Sequence, residues 1–172
     1  METKSYKTPK SERILYHKPK IDDIDFLFEL NSNPVSYRHA PDLLMTTKSQ
    51  AEKLVESYLD HWDKYGFGYY ILFDKETNKE IGYCGVMYQT YNQVNCLNIG
   101  YRLLPEYWGG GLATEVAKTI KNWAQENFEE PVVGKVALAN SSSAKVLEKI
   151  GLKPNIFPDT QDTDGIPHQL YN

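Results

Sequence analysis

An α/β (α+β) domain with a mixed sheet is the fold the sequence predicts, and three observations predict it. Strand-like and helix-like segments follow one another in the order β-α-α-β-β-β-α-β-α-β. Residues 48–65 place apolar side chains at three- and four-residue steps, the mark of an amphipathic helix. Three consecutive strand-like segments, 69–74, 80–88 and 94–104, are joined by connections too short for a crossover, so they form an antiparallel meander. Helices between the remaining strands make the architecture mixed.

Residues 1–10 are polar, contain Pro9, and are expected to form a flexible N-terminal segment ahead of a single domain over 11–172. Arg13 to His17 reads as a short strand. Asp22 to Leu30 carries Ile24, Phe26, Leu27 and Leu30 at helical spacing and is stopped by Asn31-Ser32-Asn33-Pro34. The helix over 48–65 buries Ala51, Leu54, Val55, Tyr58, Leu59, Trp62 and Tyr65. Thr47 and Gln50 have the spacing of a capping box, and Gly66 is its stop. A turn at Lys75–Lys79 and a polar loop around Tyr91-Asn92 separate the three meander strands. Gly109-Gly110-Gly111 then leads into a helix from Leu112 to about Asn127, with Val116, Ala117, Ile120, Trp123 and Ala124 on its buried stripe. Val132 to Ala139 reads as a strand and Ser142 to Ile150 as a short helix closed by Gly151. Weak strand signals at Asn155–Phe157 and His168–Tyr171 end the chain.

Composition excludes several function classes. A chain of 172 residues holds a core without a metal or disulfide staple. Its net charge is -4 and its only arginines are Arg13, Arg38 and Arg102, so no basic stripe for nucleic acid is present. No apolar run approaches the roughly 18 residues of a membrane span, and the polar N-terminus is not a secretory signal. Cys84 and Cys96 are too few for a disulfide framework or a zinc cluster and read as small buried thiols, which makes a reducing cytoplasmic setting the default. No metal site is expected.

The chemistry-bearing stretch is Ile99-Gly100-Tyr101-Arg102-Leu103, followed by Pro105-Glu106-Tyr107-Trp108-Gly109-Gly110-Gly111-Leu112-Ala113-Thr114-Glu115. A strand ends, a proline breaks it, and glycines deliver the chain into a helix. The first four N–H groups of a helix have no internal acceptor, the helix dipole adds positive charge there, and glycine lets a bulky anion approach. Such a turn can cradle a diphosphate, although three glycines by themselves read first as a turn without a ligand. It is not a P-loop, because Gly111-Leu112-Ala113 lacks the lysine, and not a dinucleotide fingerprint, because the third glycine is missing. A nucleotide hydrolase is therefore disfavoured. About 26 residues further on stands Asn140-Ser141-Ser142-Ser143-Ala144-Lys145-Val146-Leu147-Glu148-Lys149-Ile150-Gly151-Leu152.

These two stretches, at this separation, resemble the GNAT N-acetyltransferases and within them the RimJ/RimL-like branch. The resemblance covers roughly Arg13 to Leu152. It implies a GNAT-like mixed, mostly antiparallel central sheet with helices on both faces and a splayed parallel strand pair, here 94–104 and 132–139, at the cofactor cleft. It implies acetyl-CoA as cofactor. The family's phosphate loop, Gln/Arg-x-x-Gly-x-Gly/Ala, falls on Trp108 to Ala113, with Trp108 in place of Gln/Arg. Backbone N–H groups of Gly109, Gly110, Gly111, Leu112, Ala113 and Thr114 would then hold the diphosphate. Main-chain groups of Tyr101, Arg102 and Leu103 would pair with the pantetheine arm, the Leu103 N–H would stabilise the oxyanion, and Asn140 would bond the arm from the other side. Ser143 fits the branch's serine three residues after the asparagine and could protonate the leaving thiol. By itself Asn140 also reads as a helix cap, and Ser143 as a first-turn residue.

Two positions depart from the general family pattern. Leu147 stands where many members have a tyrosine acid, and Asn98 where many have a glutamate. The acceptor would lie opposite the cofactor, near Tyr37, Arg38, His39, Tyr88, Tyr91 and His168. An acidic chain is compatible with a cationic acceptor. The resemblance thus implies an acetyl-CoA-dependent N-acetyltransferase acting on a primary amine, a protein N-terminus or a small molecule, by direct attack in a ternary complex. No nucleic acid or membrane partner is expected, and the protein would act as monomer or homodimer. Leu147 and Asn98 keep a second reading open, a non-catalytic acyl-CoA-binding sensor or interaction module.

Overall fold

Six strands form one sheet in the same order as they occur along the chain: β1 (Ile14–His17), β2 (Tyr69–Asp74), β3 (Glu80–Tyr91), β4 (Val94–Leu103), β5 (Val132–Ala137) and β6 (His168–Tyr171). The structure is a computed structural model and describes residues 4–154 and 168–172. Every neighbouring pair is antiparallel except β4 and β5, which are joined by a helical crossover and run parallel. The mixed, mostly antiparallel sheet follows the expected pattern. Four helices cover it: α1 (Ile24–Asn31), α2 (Lys48–Tyr65), α3 (Leu112–Asn127) and α4 (Ser141–Lys149).

Strand alternation sorts the two faces. Leu97, Ile99 and Leu103 of β4 join Tyr70, Leu72 and Val86 in the larger core, which the stripe Val116, Ala117, Ile120, Trp123 and Ala124 of α3 and Leu147 of α4 close. Ile71 and the partly buried Tyr69, Phe73, Tyr83 and Met87 face the other way, against Phe26, Leu27 and Leu30 of α1 and Val55 and Tyr58 of α2. Cys84 and Cys96 are buried free thiols on β3 and β4.

The helix over 48–65 begins and ends where its caps require. The Gln50 carboxamide oxygen accepts from the Thr47 N–H at 3.0 Å, and Gly66 leaves α2 at φ 76°. Two boundaries differ from the sequence reading. The loop expected around Tyr91-Asn92 is a two-residue hairpin: Asn92 and Gln93 take φ 48° and 67°, so β3 runs on to Tyr91. Both positions of such a hairpin need the left-handed region, and a glutamine where glycine is usual conceals it. β5 stops at Ala137, because the Asn140 N–H turns back onto the Ala137 carbonyl at 2.8 Å. His168–Tyr171 adds to the sheet beside β5, whereas Asn155–Phe157 lies outside the described residues. Residues 4–10, expected to be flexible, carry no helix or strand but are held to the domain. Tyr6 packs edge-on against Phe67 and Trp123, and the Trp123 indole donates to the Lys7 carbonyl at 2.7 Å. Among the described residues no helix is long and apolar enough to cross a membrane.

One buried histidine completes the sheet. Pairing of β2 with β3 begins only at Tyr69 and Gly85, so the Tyr88 N–H has no strand acceptor on that side. His61 of α2 supplies one: its Nε2 lies 3.1 Å from the Tyr88 nitrogen, while its Nδ1 donates to the Phe67 carbonyl at 2.7 Å. Those two bonds fix the neutral Nδ1–H tautomer. Burial of the ring lowers its pKa from the ordinary value. Protonation would turn Nε2 into a donor facing a donor. The unfolded chain therefore binds a proton near pH 6.5 that the folded chain refuses, and stability falls as pH drops below that value. Urea unfolding at pH 8 and pH 6 should show the wild type losing stability at the lower pH. His61→Asn, which cannot titrate, should show a smaller dependence.

Candidate active site

The sheet opens where β4 and β5 part. Their parallel pairing comprises Leu97–Val132, Asn98–Val133 and Ile99–Gly134 and goes no further, although both strands continue. Leu147 of α4 occupies the apex. It is 1% exposed, and a Cβ on Gly134 would stand 2.5 Å from its Cδ1. Only glycine at 134 lets the leucine sit against the last paired residue.

Two hydrogen bonds fix which way the β4 peptides point. The Leu97 N–H donates to the Pro131 carbonyl on the β5 side, and the Leu104 N–H donates to the Ile81 carbonyl on the β3 side. With period-two alternation, the main-chain groups of Tyr101 and Leu103 face the opened gap, and those of Arg102 pair with Tyr83 on β3. Arg102 therefore differs from its expected place: its peptide is spent within the sheet, and its side chain goes to the α1/α2 face. The Leu103 carbonyl accepts from the Trp108 indole at 2.9 Å, which leaves the Leu103 N–H as the polar group presented to the gap.

The glycine turn stands at the gap's mouth. Gly109 and Gly111 take φ 81° and 78°, and Gly111 caps α3. The first bond of that helix runs from the Glu115 N–H to the Gly111 carbonyl at 3.0 Å, so the amides of Leu112, Ala113 and Thr114 precede the helical ladder. A Cβ at Gly109 or Gly110 would meet nothing within 4 Å, so no described side chain covers the turn at these two positions. Arg13 braces it from outside, bonding the Gly110 carbonyl at 3.0 Å and pairing with Glu115 at 2.7 Å. This open row of amides, beside unpaired strand groups, fits a diphosphate continued by an extended amide-bearing arm.

Asn140, the cap of α4, and Ser143, in its first turn, line the cleft. The Asn140 side-chain oxygen caps α4, accepting from the Ser143 N–H at 3.1 Å, and its amide nitrogen is left as a donor. The Tyr101 hydroxyl donates to the Ser143 carbonyl at 2.9 Å. Burial pushes that phenol's pKa up, so it stays a donor.

The cleft has two connected halves. The one beside the phosphate turn has a volume of about 360 Å³ and is lined by Trp108, Gly109, Gly111 and the first turns of α3 and α4. The other, about 230 Å³, lies toward the α1/α2 face and includes Tyr37, His39, Asn98, Lys135 and His168. Ser36, His39, Tyr101, Arg102, Asn140 and Ser143 line both. Of the six side chains expected near an acceptor, Tyr37, Arg38, His39 and His168 are thus brought to the cleft. Tyr88 and Tyr91 are not. Tyr88 packs with Tyr65 and Phe67, and the Tyr91 hydroxyl bonds the Asn98 side chain at 3.0 Å. Asn98 is also bonded to the Tyr69 hydroxyl at 3.3 Å, so its amide is fixed between two phenols. Arg38 lies over the Trp108 ring at 5.3 Å and donates to His39 Nε2 at 3.0 Å. Ser36, Tyr83 and Lys135 were not singled out from sequence. The alternation of β4, which sends Tyr101 and Arg102 to opposite faces, was the available signal for what surrounds Arg102.

Residues 13–153 match the family model described as Acetyltransferase (GNAT) domain. The chain is 34% identical over 92 residues to the uncharacterized protein YkkB of Bacillus subtilis, a match that spans about half of each (51% of this chain and 52% of that protein). It is 25% identical over 161 residues to the uncharacterized N-acetyltransferase p20 of Bacillus licheniformis, covering 90% of this chain and 88% of that protein. The fold is shared with an acetyltransferase of Agrobacterium tumefaciens, at TM-score 0.80, 22% identity and coverage of 99% and 96%. It is also shared with RimL, a ribosomal L7/L12 alpha-N-protein acetyltransferase solved in complex with coenzyme A, at TM-score 0.74, 15% identity and coverage of 95% and 94%.

Proposed function

Because the chain belongs to the GNAT acetyltransferase family, we propose that it moves the acetyl group of acetyl-CoA to a primary amine by direct attack in a ternary complex, as a RimJ/RimL-like enzyme. The observation that carries the reading is the open row of amides from Gly109 to Thr114 at the mouth of the parted strands. The similarity to p20 and to a coenzyme A-bound RimL supports it.

Bound there, acetyl-CoA supplies an acyl group already activated as a thioester. The chain's own residues do the rest. Amides of the glycine turn hold the diphosphate without a lysine. Main-chain groups of Tyr101 and Leu103 and the Asn140 amide nitrogen align the arm. The Leu103 N–H, oriented by the bond at its own carbonyl, stabilises negative charge developing on a carbonyl oxygen. Ser143, shared by both halves of the cleft, serves as proton donor to sulfur. The amine must reach the carbonyl uncharged, and a water chain along His39 or His168 carries its proton away.

Calorimetric titration with coenzyme A tests the cofactor site. Acetyl mass shift across peptides of varied N-terminus, polyamines and other amines tests turnover. Ser143→Ala is expected to lower kcat about 10- to 100-fold, and an unchanged rate would confine Ser143 to its place in the first turn of α4. One observation favours the second reading, an acyl-CoA sensor: Asn98 is locked between Tyr69 and Tyr91, and the apolar Leu147 holds the apex. Tight coenzyme A binding without acceptor-dependent thiol release would select it.

A further inference from the structure

The turn proposed to face a diphosphate is built from three glycines, and glycine holds its own backbone direction weakly. A residue distant in the chain supplies the missing constraint. Arg13 stands directly before β1, 97 positions from Gly110. Its Nη1 donates to the Gly110 carbonyl at 3.0 Å. Its Nε and its main-chain N–H donate to the two carboxylate oxygens of Glu115, at 2.7 and 2.9 Å. Its carbonyl accepts from the Lys75 N–H, just beyond β2, at 2.9 Å. Through these bonds one residue joins the sheet edge, the glycine turn and the first turn of α3.

Peptide geometry carries the effect into the cleft. Arg13 lines neither half of it, whereas Gly111 lines the half beside the phosphate turn. A trans peptide is planar and points its N–H opposite to its C=O, and the described backbone has no cis bond. Holding the Gly110 carbonyl toward Arg13 therefore turns the Gly111 N–H away from Arg13. That amide directly precedes those of Leu112, Ala113 and Thr114. Glu115 fixes both ends of this stretch. Its N–H takes the Gly111 carbonyl at 3.0 Å, and its side chain holds the arginine that takes the Gly110 carbonyl. Burial of the Glu115 carboxyl opposes its charge, but its bonds to Arg13 prevail and its pKa is lowered.

Resting on the acyl-transfer reading, we propose that Arg13 is a positioning residue for the cofactor: held by Glu115, it sets the direction of the Gly111 amide and with it the affinity of the turn for a diphosphate, without touching the cofactor itself. Donors fixed in advance bind more tightly than donors ordered on binding. Glu115 separates positioning from charge. Its carboxylate lies in the first turn of α3 and repels an anion bound at that helix start. If charge alone acted, Glu115→Gln would tighten binding. If Glu115 holds Arg13 in place, the same change weakens it.

Calorimetric titration decides, with coenzyme A and with dephospho-coenzyme A, which keeps the diphosphate and lacks the 3′-phosphate. Each protein is first shown to be folded by its thermal transition. Arg13→Lys keeps the charge without the planar fork and should weaken both ligands about 10-fold, the order of one hydrogen bond to a charged group. Glu115→Gln should weaken both about 2- to 10-fold, the range of an uncharged hydrogen bond. A merely structural role would lower Tm and leave the Kd of folded protein unmoved. The inference is overturned by a wild-type Kd in Arg13→Lys, or by tighter or unchanged binding in Glu115→Gln. A loss seen with coenzyme A but not with its dephospho form also overturns it, because Arg13 would then act on the 3′-phosphate. Where Arg13→Lys does not fold, the sign of the Glu115→Gln effect decides. A wild type that binds neither ligand overturns the cofactor site and this inference together. A wild type that binds both, with variants unaltered, overturns this inference alone.

Discussion

Gly111→Glu is expected to remove coenzyme A binding, with affinity reduced at least about 100-fold. Two effects act together. Gly111 caps α3 at φ 78°, a conformation that costs about 1–2 kcal/mol for a residue with a Cβ. The new carboxylate would also stand at the start of α3, next to free amides that attract anions, and would repel a diphosphate by like charge. Calorimetry with coenzyme A, on protein shown to be folded by its thermal transition, reads the loss. Gly111→Ala separates the causes, since it carries the backbone strain without the charge and should retain more affinity. An unaltered Kd in folded Gly111→Glu protein would sink the phosphate cradle.

Gly82→Ala is the second large effect, and it acts on β4 from the side of β3. A Cβ at position 82 would stand 2.1 Å from the Arg102 carbonyl oxygen and 2.9 Å from the Leu103 Cα. Both are backbone atoms, so no side chain can swing aside. Gly82 is paired opposite Leu103, the residue whose N–H faces the gap. Relief requires β4 to move away from β3, at a cost near the upper end of overpacking, about 3 kcal/mol. For a chain of this size that corresponds to a fall in Tm of roughly 6–12 °C. Scanning calorimetry measures it, and the thiol-release assay at a temperature where the variant is folded should show a lowered kcat as Leu103 shifts. A variant with wild-type Tm would mean that β4 yields without resistance.

Much of this architecture was legible from local chemistry. The α2 helix announced both ends through Thr47, Gln50 and Gly66. The glycine turn announced its openness, because three glycines have no side chains with which to close it. What escaped has physical reasons. Gln93 adopts a conformation usually given to glycine, so β3 seemed to end early. The packing of Tyr6 against Phe67 and Trp123 joins residues far apart in the chain, which no local pattern reveals. Ser36 carries no sequence signal; it matters because Arg102, 66 positions away, bonds its carbonyl.

The alternation of β4 has a consequence for how such a protein can change. At odd positions its peptides turn toward the opened gap, where the proposed donor would lie, and no side-chain identity is read in doing so. At even positions Asn98, Gly100 and Arg102 face the other half of the cleft, where on the proposed reading the second substrate would enter. One strand therefore keeps two vocabularies apart, a main-chain one that any sequence can speak and a side-chain one open to revision. Of those positions Arg102 is the one open to exchange, because Asn98 is held by Tyr69 and Tyr91 and a Cβ on Gly100 would stand 2.4 Å from the Tyr69 hydroxyl, while the proposed donor would be met by main-chain groups that substitution does not alter.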